Sequence, residues 1–187
     1  MVRTASTLEI ANATLGVLQK DYAQYNYWAN KRLVDWLRTK PAEVMDQEVP
    51  SSFPSLKLTL IHIWDVQRGW LAFLKDETPP PSFRFEGFQG TAEEVMEGIV
   101  SHSQEIVDYV AGLNETDLTD GCKFLVPIRW PEWEEFERPR FQVIHHCLTH
   151  SVYHRGQVIT IGRNVGLTDA PMTDYMYYLL LGKEGRD

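Results

Sequence analysis

The apolar positions of this chain sort into four long stretches of helical period. Leu15, Leu18, Tyr22, Tyr25, Ala29 and Leu33 recur three and four residues apart through about residue 38, the spacing that lines one face of a helix. Residues 1–12 read as a polar lead-in. Lys40-Pro41 ends the pattern, and a connection bearing Pro41, Pro50 and Pro54 leads to Ser55, whose hydroxyl suits the N-cap of a second helix over about 56–76. Leu58, His62, Asp65, Gly69 and Ala72 form one stripe of that helix, with Ile61, Trp64 and Leu71 beside it. At Gly69 the missing side chain suits a close helix approach, room for a ligand, or plain packing.

Pro79-Pro80-Pro81 stops the second helix, and an aromatic loop with Phe83, Phe85 and Phe88 follows. Thr91-Ala92-Glu93-Glu94 has capping-box spacing and opens a third helix through about Ala111, with Val95, Ile99, His102, Ile106 and Tyr109 or Val110 on its buried stripe. Polar neighbours predict partial exposure for His102. Between Asp117 and Arg138 the period fails; alternation around Phe124 and Val126 suggests a short hairpin or ordered loop, folded over the bundle by Trp130 and Trp133. Pro139 suits the first turn of a fourth helix ending at Gly166 as its C′ residue. Thr173 is placed as the cap of a short last helix to about Gly182, with Tyr177, Tyr178 and Leu181 available for packing. The expected fold is an all-α four-helix bundle, a single domain over residues 1–187.

The fourth helix carries the chemistry. Val143, Cys147, His150, His154, Val158 and Ile161 follow at steps of four, three, four, four and three, so two imidazoles one turn apart look inward among apolar residues. A buried imidazole needs a partner for each ring nitrogen, and a divalent metal or a set of hydroxyls and carbonyls can serve. The inward pair favours metal, and His62 is the best third ligand because it is the other histidine placed centrally on an apolar stripe. His146 lies two turns from His154 and is assigned to the outer shell or rim. His145, off the stripe, reads as an ordinary histidine, and Cys147 as a small buried hydrophobe. The motif is not His-Glu-x-x-His, since Ser151 stands where glutamate would act as base. Asp65, one turn past His62, is the candidate acid or base, with a helix-surface or Arg155-paired carboxylate as the structural alternative. No serine-nucleophile elbow, phosphate-cradling glycine loop or dinucleotide fingerprint occurs.

Composition narrows the partners. With 18 basic and 26 acidic residues the formal charge is 18 − 26 = −8, and no basic run interrupts it, which disfavours nucleic acid. No stretch has the length of a signal peptide core or a membrane span, so a cytoplasmic protein without membrane contact is expected. Cys122 and Cys147 are too few and too far apart for a disulfide framework.

Tyr25-Asn26-Tyr27-Trp28-Ala29-Asn30-Lys31-Arg32-Leu33, then Leu60-Ile61-His62-Ile63-Trp64, then His150-Ser151-Val152-Tyr153-His154-Arg155-Gly156-Gln157 together resemble the DinB-like superfamily of damage-inducible and thiol-dependent transferase proteins. The resemblance implies a bundle of up-down-down-up type with a long crossover, and frequent homodimers. It also implies a nickel or zinc ion on His62, His150 and His154, the triad reached from spacing. Members with known chemistry use a low-molecular-weight thiol such as bacillithiol or mycothiol. Gln67 departs from the family, which often has a carboxylate there, and is grouped with His146 and Arg155 as outer-shell or rim. Two functional classes follow: a metal-dependent thiol transferase or hydrolase acting on a small electrophile, or a metal-binding stress protein without turnover. A DNA-binding role, suggested by the family name alone, is opposed by the charge. Arg155 reads as pairing with an acidic group or a substrate carboxylate, and Gly156 as permitting close helix contact.

Overall fold

The computed structural model describes residues 13–129, 132–183 and 185, so the polar lead-in and Trp130 lie outside the described residues. Helix α1 spans Leu15–Arg38 and opens at Thr14, whose side chain accepts from the Val17 amide at 3.2 Å. Leu18, expected inside, is 54% exposed, and the neighbouring Gln19 is buried instead. The face that packs is the one through Ala23, Asn26, Asn30, Leu33 and Leu37.

A single 3₁₀ turn, Ala42–Met45, interrupts the crossover to α2, Leu56–Leu74. Ser55 caps α2 as expected, accepting from the Leu58 amide at 3.1 Å. The buried face of α2 runs Leu56, Leu60, Ile63, Gln67, Leu71, Leu74, so the anticipated stripe through Leu58, His62, Asp65 and Gly69 is its flank. Leu58 is 44% exposed. This helix is apolar on nearly every side, so period alone admits two stripes, and packing against its neighbours selects one.

The aromatic loop contains a short helix α3, Phe83–Glu86. Helix α4, Ala92–Gly112, begins at the predicted capping box, with Thr91 and Glu94 bonding each other's backbone amides. Helix α5, Glu115–Thr119, is too short to show a period and was not expected; Asn114 and Asp117 cap it reciprocally. The hairpin alternative for the next segment is the one found. Strands β1, Gly121–Arg129, and β2, Glu132–Pro139, pair antiparallel with Phe124 opposite Phe136 and an irregularity between Val126 and Arg129. Phe124, 5.2 Å from Trp70, seats the hairpin on the helices, and Trp133 is 51% exposed.

Helix α6, Arg140–Asn164, starts after Pro139 and ends at Gly166, which adopts φ +90°. The Leu167 amide reaches the Gly162 carbonyl at 2.8 Å and the Gly166 amide reaches that of Arg163 at 3.1 Å, a Schellman closure. The last helix, α7, Tyr175–Tyr177, continues into a wider turn, Tyr178–Gly182. Its cap is Asp174 rather than Thr173, whose carbonyl instead accepts from the Tyr25 hydroxyl at 2.9 Å.

Helices α1 and α2 each pack on both α4 and α6. Two apolar clusters fill the interior. One gathers Leu33, Leu60, Ile99 and Val158; the other gathers Ala23, Leu71, Ile106 and Leu148. Between them, at the middle of each helix, the buried residues turn polar: Asn26 and Asn30 on α1, Gln67 on α2, Ser103 on α4, Ser151 and Arg155 on α6. The Arg155 guanidinium donates to the Asn26 and Asn30 amide oxygens at 2.7 and 2.9 Å. The Asn30 amide donates to Ser103 Oγ at 2.9 Å, and Gln67 Nε2 donates to the same oxygen at 3.1 Å. One hydrogen-bonded chain thus crosses all four helices and fixes their axial register, because a slipped helix would strand buried polar groups. The histidine site lies at this level. No helix among the described residues is long and apolar enough to cross a membrane.

Candidate metal centre

His62 from α2 and His150 and His154 from α6 converge. The Nε2 atoms of His62 and His154 are 3.2 Å apart and those of His154 and His150 are 3.1 Å apart. A ligand atom from each of the three lies within 4.8 Å of the others. Three imidazole nitrogens bound tetrahedrally at about 2.0–2.1 Å sit roughly 3.3–3.4 Å from one another, close to the observed spacing. Helix geometry supplies the α6 pair; the packing of α2 on α6 supplies the third.

The protonation state suits a cation. Burial, reinforced by the His154 charge and then Arg84, lowers the His62 pKa to about 4. Burial, with His154, His62 and His146 adding to it, lowers that of His150 to about 3. Burial also lowers the pKa of His154, opposed by its hydrogen bond to Gln157. All three rings are therefore neutral near pH 7, the form that coordinates a metal. His154 Nδ1 meets Gln157 Oε1 at 2.5 Å. The amide oxygen can only accept, so Nδ1 carries the proton and Nε2 directs its lone pair at the centre. His150 Nδ1, the ring nitrogen turned away from the shared centre, is buried and has no hydrogen-bond partner among the described residues.

Two residues to which the sequence pattern gave no role join the site. Gln157 stands three positions after His154 and could have been found from that spacing. Phe53, in the crossover before α2, stacks on the His62 ring at 4.2 Å and presents its edge to His154 at 5.7 Å. Nothing in a loop sequence announces such a contact.

Other anticipated residues have different places. Asp65 is committed elsewhere: its oxygens accept from Ser82 Oγ at 2.5 Å, the Phe83 amide at 3.1 Å and Arg68 at 3.4 Å, anchoring α3 to α2. It pairs with Arg68, not Arg155. Gln67 is fully buried in the polar chain and is not a rim residue. Arg155, 1% exposed, also leaves the rim, and its partners are two asparagine amides and the Tyr25 ring at 5.2 Å rather than a carboxylate. His146 does sit beside the cluster, its ring 5.8 Å from that of His150 and 4.6 Å from Trp70. His145 lies against Tyr22, and His102 takes the Trp64 indole proton at 3.1 Å. Cys147 is buried, and burial raises its thiol pKa to about 12, so it behaves as an apolar side chain. Gly69 is not a close-approach glycine, for an added Cβ there would meet nothing within 4 Å. That function falls to Gly98 on α4, where a Cβ would come within 2.1 Å of the Trp64 ring, so Trp64 lies flat on the helix backbone.

Fold and site together define a mostly helical protein with a three-histidine cluster able to hold a metal ion. The DinB family model matches residues 11–184, and the chain belongs to the DinB family. It is 27% identical to Protein DinB of Bacillus subtilis strain 168 over 165 residues, covering 86% of this chain and 92% of that one. The crystal structure of a DinB-like protein from Bacillus cereus ATCC 10987 superposes with a TM-score of 0.61 at 17% identity, over 79% of this chain and 91% of that one.

Proposed function

We propose that this chain is a divalent-metal-dependent enzyme that either transfers a low-molecular-weight thiol to a small electrophile or hydrolyses it. The convergence of three neutral imidazole nitrogens carries the reading. His62, His150 and His154 would hold the ion, nickel or zinc, which when bound supplies a Lewis-acidic centre that acidifies a thiol or water. Gln157 fixes the tautomer of His154, and Phe53 covers the outer face of His62, keeping water from that side of the site. The cyclic packing of the four long helices, with the crossover after α1, supports a four-helix bundle of up-down-down-up type.

The alternative is a structural metal site in a stress protein without turnover. It requires a closed coordination shell, for which the sequence offers His146 and Cys147. Neither belongs to the three-histidine cluster, which favours the enzyme. A cytoplasmic homodimer completes the proposal, its stoichiometry checked by light scattering.

Metal content per chain, measured on untagged wild type and on His62→Ala, His150→Ala and His154→Ala, tests the ligand set. One equivalent in wild type, lost from each variant, is the expected outcome. Absence of metal from wild type after nickel or zinc is supplied would overturn it. Screening loaded protein for thiol consumption and for hydrolysis of electrophiles then separates enzyme from structural protein.

A further inference from the structure

A cavity of about 290 Å³ opens between the hairpin and the faces of α2 and α6, one helical turn from the histidine cluster. Trp70 from α2, Val143 from α6, and Phe124 and Val126 from β1 make most of its wall apolar, and Gln142 of α6 adds a polar side chain. The exposed Arg138 of β2, whose Nη1 donates to the Glu137 carbonyl at 2.7 Å, also lines it, as does His146 on the side toward the cluster. The His146 ring contacts Trp70 at 4.6 Å and is 5.8 Å from the His150 ring, so it forms the partition between cavity and cluster.

The register of the hairpin explains the lining. Side chains alternate across a strand, so Phe124 and Val126 share one face, and their partners Phe136 and Glu134 fall on the same face as Arg138. Both Glu134 and Arg138 are exposed, and of the two only Arg138 lines the cavity. The volume is near the lower bound for small-molecule sites, and an apolar wall with one convergent cation selects an amphipathic anion.

We propose that this cavity binds the apolar body of a small aryl or alkyl carboxylate, with the carboxylate at Arg138 and the opposite end against His146, which separates it from the three histidines. The proposal rests on the preceding reading only for the use made of the bound molecule; binding itself needs no metal. It gives the hairpin a function beyond capping the helices, that of supplying one wall of a substrate site.

The test uses full-length protein and 4-phenylbutyrate as probe, with 4-phenylbutyramide and 4-phenylbutylamine as comparators, followed by calorimetry and saturation-transfer NMR. Metal-free and metal-loaded wild type should both bind the carboxylate. Arg138→Gln should weaken it about three- to tenfold, the loss expected for one partly exposed charge-assisted contact. Val126→Trp should abolish it by filling the cavity from the hairpin side, with circular dichroism confirming the fold. Equal binding of amide or amine, or undiminished binding to either variant, would overturn the proposal. Loss of the metal site with retained probe binding would instead count against the metal reading alone.

Discussion

Gln157→Leu isolates the one polar contact that orients a proposed ligand while leaving all three imidazoles in place. In the wild type the amide oxygen accepts the His154 Nδ1 proton at 2.5 Å, which both sets the tautomer and raises the basicity of a ring that burial otherwise makes less basic. Leucine keeps the helix propensity but removes the acceptor, so Nδ1–H is left unbonded and the ring is free to turn about its side-chain bonds. Loss of such an outer partner costs about 10- to 100-fold in metal affinity, or about 1.4–2.7 kcal/mol. Zinc affinity measured by competition with a chromogenic chelator at neutral pH reads this directly, and Gln157→Glu, which keeps an acceptor, should recover or exceed wild-type affinity. Melting of the metal-free proteins controls for stability, where the change should stay within about 0.5 kcal/mol. A Gln157→Leu affinity within twofold of wild type would refute the assigned role.

Other consequences of the structure can be measured independently. Metal-free protein should lose stability as pH falls from about 6.5 toward 4, because the unfolded chain takes up protons on histidines that the fold holds neutral to about 4 for His62 and about 3 for His150. These rings are partly exposed, so the loss is roughly 1–2 kcal/mol after solvent screening; urea midpoints equal to those of a His62→Gln, His150→Gln double variant across that window would contradict it. Arg155→Lys should destabilise by about 2 kcal/mol in urea unfolding, since an ammonium cannot reproduce the forked contact with Asn26 and Asn30. The two glycines should diverge in thermal melts: Gly98→Ala costs about 1–3 kcal/mol by driving a methyl into Trp64, while Gly69→Ala, facing open space, gains roughly 0.5–1 kcal/mol. Equal effects at the two positions would show that the packing of α2 on α4 has been misread.

Periodicity and capping chemistry made the helices legible. Ser55, the Thr91–Glu94 box and Gly166 all stand where local rules put them, because a cap is decided by a few consecutive residues. The same locality made His150 and His154 a pair, since residues four apart on a helix must share a face. His62 joined them from its place on α2, but for a partly wrong reason: it flanks the buried face rather than centring it. The Asp65–Arg155 pair, one alternative for that carboxylate, does not form: Asp65 bonds Arg68 on its own helix together with Ser82 and Phe83, while Arg155 bonds the α1 asparagines.

The sequence by itself determined the four long helices, the caps at Ser55 and Thr91, the stop at Gly166 and the histidine pair. Tertiary structure decided how these meet. The angle and register at which α2 packs on α6 close the triad, and the chain from Arg155 through Asn30 and Ser103 to Gln67 holds four helices at one level. The loop that puts Phe53 on His62 and the hairpin that walls a cavity against Trp70 are likewise products of packing. Local structure is governed by interactions within a turn or two of helix and so is written in short windows of sequence. Contacts between elements depend on which of several apolar faces is buried, and that choice is made only when all the elements compete for one core.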